Sequence, residues 1–236
     1  MKHFKSHEHP SHLYVRFSAL NSANALSLEG ARELGRLCRE FKSWKGPVIV
    51  SSAHPRVFCS GGNLSDYKRL KGKADGLKVN REIRKHLDLF YSWPVVKLAL
   101  IEGDVLGGGL EWLARFDFRW CTPSALFAFW QRRLGLSTGW GGGRIWAAKV
   151  GADRVRQCLL EGRLISAFEM QRMGYVDRVL PGWRLAPLAE SWAQSMAVAG
   201  VKAVVPWTPA GEDNLFSSLW MSPEHQAVLS RWKNRD

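Results

Sequence analysis

The chain has 236 residues, of which 46% are hydrophobic, and it carries a formal net charge of +13 at pH 7. This length and composition are typical of a globular protein with a buried core. The chain lacks the run of roughly 18 apolar residues that a membrane-spanning helix needs, and residues 1–12 lack the apolar segment of a secretory signal, so we expect no membrane partner. The cysteines show no C-x-x-C spacing, which favours reduced thiols and a cytoplasmic location. The basic excess favours anionic partners.

Residues 1–12 are polar and are predicted to form a flexible N-terminal tail. The tail contains His3, His7, His9 and His12. We predict no metal site there, because no predicted helix holds these imidazoles in a fixed geometry. Next, Leu13 to Phe17 alternates like a half-buried strand, and Ser27 is placed to cap the helix that follows. A buried strand, Val48 to Ser52, then leads into a first glycine turn, FCSGGNL at 58–64.

Basic residues dominate the segment from Lys68 to Lys85, directly after the first glycine turn. An apolar strand, Val95 to Ile101, then leads to a second glycine turn, Gly107 to Gly109, which opens a helix containing Glu111. A third glycine cluster, Gly139 to Gly143, opens another helix, and the last predicted elements are all helical. Strands that alternate with helices, with glycine turns after the strands, indicate an α/β architecture.

The second glycine turn is the first candidate site. A strand, a glycine turn and a helix start in succession leave unpaired backbone N–H groups, and the helix dipole favours negative charge beside them. Glu111 lies within the first turn of that helix and could act on whatever the N–H groups hold. A glycine turn with a surface glutamate is the alternative. The glycine spacing matches neither the P-loop nor the dinucleotide-binding fingerprint, and no G-x-S-x-G motif is present, so nucleotide-driven and serine-hydrolase chemistry are not expected.

Four segments together resemble the crotonase superfamily, the enoyl-CoA hydratase/isomerase family. They are FCSGGNL at 58–64, GDVLGGGLEWLARFDFR at 103–119, RLGLSTGWGGGR at 133–144 and LLEGRLISAFEMQRMGYVDRVL at 159–180. The pattern is most similar to the branch that resembles ethylmalonyl-CoA decarboxylase. The resemblance implies an α/β crotonase (ClpP/crotonase-like) fold of repeated ββα units over residues 13–185. It also implies a helical C-terminal trimerisation region over residues 186–236, and a homotrimer or hexamer.

The resemblance further implies an oxyanion hole that binds the oxygen of an acyl thioester, with the backbone N–H groups of Gly62 and Gly108 as donors. Glu111 matches the first of the two glutamates that the family's hydratases use. Gln131 occupies the position of the second, and an amide cannot exchange a proton at neutral pH. The implied substrate-binding residues are Ser60, Gly61, Leu64, Tyr67, Lys68, Gly107, Trp130, Arg132, Gly139 and Trp140. Arg132 is a candidate for holding a substrate carboxylate.

Three functions therefore stay open. Decarboxylation or isomerisation needs at most one acid/base residue, and the replacement by Gln131 favours these over plain hydration. A 2-enoyl-CoA hydratase that uses Glu111 alone is the second. A non-catalytic RNA-binding homologue is the third, although no aromatic residues are interleaved with the basic segment. The implied substrate is a coenzyme A or acyl-carrier-protein thioester, with no permanently bound cofactor. The segment from Asn21 to Leu26 lacks the basic residue that family CoA sites often use, which leaves the carrier open.

Overall fold

The computed structural model describes residues 1–68, 70–199, 217, 220–223, 226–227 and 229–230, with side chains of the last long helix described to residue 196. The strands are β1 (Phe4–His9), β2 (His12–Phe17), β3 (Val48–Ser52), β4 (Val57–Cys59), β5 (Lys97–Ile101), β6 (Asp104–Leu106), β7 (Phe118–Cys121), β8 (Leu126–Ala128), β9 (Ile165–Ser166) and β10 (Arg178–Val179). The helices are α1 (Leu28–Glu40), α2 (Leu64–Tyr67), α3 (Lys73–Ser92), α4 (Gly108–Leu113), α5 (Gly142–Val150), α6 (Ala152–Glu161), α7 (Ala167–Arg172) and α8 (Gly182–Ala199). Two short 3-10 helices span Leu20–Ser22 and Trp130–Leu134.

The strands form two sheets, with the orders β1-β2-β3-β5-β7-β10 and β4-β6-β8-β9. Neighbouring strands are parallel except for the edge pairs β1–β2 and β8–β9. Consecutive strands alternate between the sheets: β3 is followed by β4, β5 by β6, and β7 by β8, and each pair leads to a helix. This arrangement confirms the predicted α/β fold of repeated ββα units. It brings the ends of β4 and β6 side by side, because these two strands are parallel neighbours.

A cluster of aromatic side chains around Trp112 fills the centre of the molecule. Trp112 is fully buried, stacks on Phe58 at a centroid distance of 5.7 Å and meets Phe17 edge-on at 5.4 Å. Phe90 of α3, Phe116 just after α4 and Phe4 of β1 also contact the Trp112 ring. Because α4 carries Trp112 one position after Glu111, the packing of the core also sets the position of the candidate site.

The prediction of a flexible tail over residues 1–12 was wrong. Phe4–His9 forms the edge strand β1, which pairs antiparallel with β2. Phe4 is buried and stacks on Phe17 at 4.8 Å. The buried carboxylate of Glu33 accepts hydrogen bonds from the backbone N–H groups of Lys2 at 2.9 Å and His3 at 2.6 Å. Within the described ranges, no three His, Cys, Asp or Glu side chains are grouped so that they could hold a metal ion.

Helix α8 crosses the predicted boundary between residues 185 and 186. Its apolar face, formed by Leu185, Ala189 and Ala193, packs against Leu98 and Trp120 of the larger sheet. The first part of the predicted C-terminal region therefore belongs to the core of this chain. Half of the helix predicted from Pro223 to Trp232 lies outside the described residues, and trimerisation stays a prediction. None of the helices in the described ranges is both long and apolar enough to cross a membrane.

All four cysteines of the chain are buried free thiols, so they should be unreactive in the folded protein. Burial raises the pKa of Cys38, Cys59 and Cys121 to about 12 and also raises the pKa of Cys158. Because the thiolate is the reactive form, we expect a colorimetric thiol reagent to label none of them in the folded protein and all four in denaturant. Since the unfolded thiols ionise at lower pH, the free energy of unfolding should fall as the pH rises above 9.0. Rapid labelling of any thiol in the folded protein would contradict the expectation that these buried cysteines are unreactive.

Candidate active site

The two glycine turns predicted from the sequence lie against each other. Gly61 and Gly107 have positive φ angles of 102° and 51°, which favour glycine. A Cβ atom placed on Gly61 would lie 3.0 Å from the backbone nitrogen of Gly108, and one on Gly109 would lie 2.5 Å from the carbonyl oxygen of Cys59. The backbones of the turns after β4 and β6 thus approach at distances that only glycine permits.

Two backbone N–H groups at this junction are available to a ligand. Leu26 donates to the carbonyl oxygen of Gly61, and Gly107 donates to that of Ala128. By contrast, the N–H groups of Gly62 and Gly108 donate no hydrogen bond to any residue in the described part of the chain. Both glycines are only half-buried. Two unpaired donors on adjacent turns are therefore suited to hold an oxygen that carries negative charge.

The Glu111 side chain lies beside these turns, buried, with both of its oxygens occupied. One oxygen accepts from the Gly139 N–H at 3.0 Å and from the Gln131 amide at 3.3 Å. The other accepts from the N–H groups of Trp140 at 2.8 Å and Gly142 at 3.1 Å. A carboxylate has about four accepting positions, so all of them are filled. Burial raises the pKa of Glu111, while the backbone donors act in the opposite direction.

The third glycine cluster holds Glu111 through close packing. A Cβ atom on Gly142 would lie only 2.3 Å from the Cα atom of Glu111. Glycine at this position lets the start of α5 approach α4 closely enough for its N–H groups to reach the carboxylate. The sequence indicated the glycine cluster, but only the fold shows that it surrounds Glu111.

Gln131, the residue predicted at the position of the family's second acid, contacts Glu111. Its side chain is buried, and its amide nitrogen is the donor to the Glu111 carboxylate. Its amide oxygen has no hydrogen-bond partner among the described residues. Gln131 can therefore hold Glu111 and offer an acceptor, but it cannot exchange a proton.

An aromatic cluster packs over the two glycine turns. The Trp140 indole donates its N–H to the Asn80 amide oxygen at 2.9 Å, and the Tyr67 hydroxyl donates to the same oxygen at 3.1 Å. A Cβ atom on Gly62 would lie 3.0 Å from the Tyr67 ring, and one on Gly108 would lie 2.5 Å from the Trp140 ring. The sequence predicted Tyr67 and Trp140 as site residues, but it did not predict Asn80.

Arg115 is a second site residue that the sequence analysis missed. Its guanidinium is fully buried and donates to the carbonyl oxygens of Glu111 at 2.7 Å and Trp140 at 2.6 Å. It also pairs with Asp88 at 2.7 Å, and the same carboxylate pairs with Arg84 of the basic segment at 3.3 Å. Burial lowers the pKa of Arg115, while Asp88 opposes that shift. Local sequence gives no signal for these contacts, because Asp88 and Trp140 lie 27 and 25 residues away along the chain.

Two predicted substrate-binding residues have other partners. The Arg132 guanidinium donates to the carbonyl oxygen of Leu160 at the end of α6, which differs from the expected role of holding a substrate carboxylate. The Trp130 ring lies under the guanidinium of Arg133, 4.7 Å from the ring centroid, and Arg133 donates to the carbonyl of Gly162. These side chains tie the 3-10 helix to α6.

The remaining predicted residues lie around the first glycine turn. Ser60 donates its hydroxyl to the carbonyl oxygen of Ser22 at 3.4 Å. Leu64, at the start of α2, is 53% exposed, and Lys68, just after that helix, is also exposed. The two exposed side chains follow Gly62 within six residues along the chain.

Comparisons with known proteins identify the family. The family model described as enoyl-CoA hydratase/isomerase matches residues 9–213. A Danio rerio protein named ethylmalonyl-CoA decarboxylase is 27% identical over 224 residues, which cover 86% of this chain and 74% of the relative. The Bacillus subtilis protein YngF, whose name places it with the enoyl-CoA hydratases/isomerases, is 31% identical over 186 residues, which cover 78% of this chain and 71% of the relative.

Solved structures show the same fold. An enoyl-CoA hydratase from Geobacillus kaustophilus superimposes with a TM-score of 0.90 at 21% identity, covering 100% of this chain and 96% of that one. The enoyl-CoA hydratase from Bacillus anthracis gives a TM-score of 0.88 at 22% identity, covering 99% and 96%. The family match over most of the chain and the shared fold lead to one conclusion: this chain belongs to the enoyl-CoA hydratase/isomerase family of the crotonase superfamily, in the branch that is similar to ethylmalonyl-CoA decarboxylase.

Proposed function

We propose that this chain decarboxylates a malonyl-type acyl-CoA thioester, with the N–H groups of Gly62 and Gly108 holding the oxygen of the enolate that forms. The observation that carries the proposal is the environment of Glu111. All four accepting positions of its carboxylate are occupied by donors of this chain. A general base needs a free lone pair that reaches the proton it removes. The site is therefore suited to a reaction whose first step requires no base.

Decarboxylation meets this requirement. The bond between the α-carbon and the carboxylate breaks, carbon dioxide leaves, and the electron pair remains on the α-carbon and the thioester oxygen. Two preorganised N–H donors stabilise that charge, and one such donor typically contributes ~3–4 kcal/mol to lowering the barrier. A proton from water or a nearby acid then completes the product. Gln131 fits this scheme, because no second acid is needed for the bond-breaking step.

The similarity to proteins named ethylmalonyl-CoA decarboxylase supports the same reaction and favours coenzyme A as the carrier. The net charge of +13 suits an anionic carrier, whether coenzyme A or an acyl-carrier protein. RNA binding receives no support from the site.

Isomerisation or hydration of an enoyl thioester is the second candidate. Glu111 lies on the turn of α4 that begins at Gly108, and one carboxylate is enough to shuttle a proton between two carbons. The name of the YngF relative favours this chemistry. It requires one of the four donors to release Glu111 when substrate binds.

A mass-spectrometric screen separates the two candidates. We expect the purified protein to convert ethylmalonyl-CoA to butyryl-CoA, and in deuterated water to place one deuterium on the α-carbon. Malonyl-CoA and methylmalonyl-CoA test the range of substrates, and crotonyl-CoA tests water addition. Hydration of crotonyl-CoA without any carbon dioxide release would overturn the decarboxylase proposal and favour the second candidate.

A further inference from the structure

The Trp140 indole occupies the space directly beside both candidate donors. Ideal Cβ positions on Gly108 and Gly62 lie 2.5 Å and 3.2 Å from atoms of its six-membered ring. Trp140 is only 3% exposed, so the ring has protein on nearly every side. A thioester oxygen that accepts from both N–H groups would bring its acyl chain against this ring.

A hydrogen-bond relay prevents the ring from rotating freely. The indole N–H donates to Asn80, and the Asn80 amide nitrogen donates to the carbonyl oxygen of Gly76 at 2.9 Å. Because the amide nitrogen has an acceptor of its own, the amide oxygen must face Trp140 and Tyr67. Moving the indole would leave its buried N–H unpaired, which is unfavourable.

We infer that Trp140, positioned by Asn80, determines the size of the substituent that the substrate may carry on its α-carbon. A short alkyl branch fits beside the ring, whereas a longer one meets the anchored indole. This inference rests on the proposed decarboxylase function and extends it to the substrate class: malonyl-type thioesters with a hydrogen, methyl or ethyl branch. Trp140 acts as a specificity-determining residue and Asn80 as a positioning residue.

The test compares kcat/KM for ethylmalonyl-CoA and butylmalonyl-CoA in the wild type, Trp140→Ala and Asn80→Ala. One methylene in an apolar pocket typically discriminates by about 10-fold or more, so two should give a strong wild-type preference for the ethyl branch. We expect Trp140→Ala to raise the butyl-to-ethyl ratio by at least about 10-fold, and Asn80→Ala to raise it by less, since the ring is loosened but still present.

Trp183→Ala is the matched control, because Trp183 is 79% exposed on α8 and is remote from the glycine turns in the chain. It should leave the ratio unchanged. An unchanged ratio in folded Trp140→Ala would overturn the inference. If Trp140→Ala does not fold, an unchanged ratio in Asn80→Ala overturns it instead.

Calorimetric binding of butyryl-CoA and octanoyl-CoA separates this inference from the proposed reaction. If the wild type decarboxylates neither malonyl derivative but binds butyryl-CoA preferentially, and Trp140→Ala or Asn80→Ala removes that preference, the reaction is wrong while the role of Trp140 is supported. Equal binding of both ligands by the wild type would overturn the inference.

Discussion

Gly108→Ala is expected to lower kcat/KM for decarboxylation of the thioester substrate by about 100-fold or more. This is the loss that follows when one donor to a developing oxyanion is removed. The new methyl group would lie 2.5, 2.7 and 3.0 Å from three atoms of the Trp140 ring. Because Asn80 anchors that ring, the backbone of residue 108 or the indole has to move. A movement of the backbone displaces the N–H group from the position where it meets the thioester oxygen, and a movement of the indole changes the surface that the acyl chain meets beside that oxygen.

The measurement is steady-state turnover together with circular dichroism and urea unfolding, so that lost activity is not mistaken for lost structure. Gly72→Ala is the matched control, since a methyl group there meets nothing within 4 Å. Unchanged turnover in folded Gly108→Ala would show that the reaction does not use the Gly108 amide.

Glu111→Gln is expected to lower the free energy of unfolding by about 2–4 kcal/mol, because buried donors lose their acceptor. An amide in place of the carboxylate presents an NH2 group to two N–H donors in either orientation. In one orientation the new NH2 group faces the donors of Gly139 and Gln131, and in the other it faces those of Trp140 and Gly142. The segment that carries Trp140 should loosen, and activity should fall with it.

Urea unfolding at neutral pH measures this effect, and Glu102→Gln, an exposed glutamate on the loop before β6, is the matched control. A variant that keeps full stability but loses turnover by about 100-fold or more would assign Glu111 a general-base role. That result would favour isomerisation or hydration over decarboxylation.

The N-terminal strand shows where local pattern is insufficient. Phe4 is the one large apolar side chain in the β1 sequence FKSHEH, so the segment resembles a polar tail. It becomes a strand because β2 offers a free edge, because Phe4 fills a gap beside Phe17 and Trp112, and because Glu33 accepts from the preceding backbone. β2 follows β1 after only two residues, but Glu33 and Trp112 are distant in sequence, and the local pattern gives no sign of them.

Local sequence was enough for the alternation of strands with helices and for the two glycine turns after β4 and β6. Each of these depends on residue types at short, characteristic spacings. The role of Glu111 could not be read in this way, because its four hydrogen-bond donors lie 20, 28, 29 and 31 residues away along the chain. Only the packing of α5 on α4 decides that this carboxylate is enclosed by donors rather than open to a substrate.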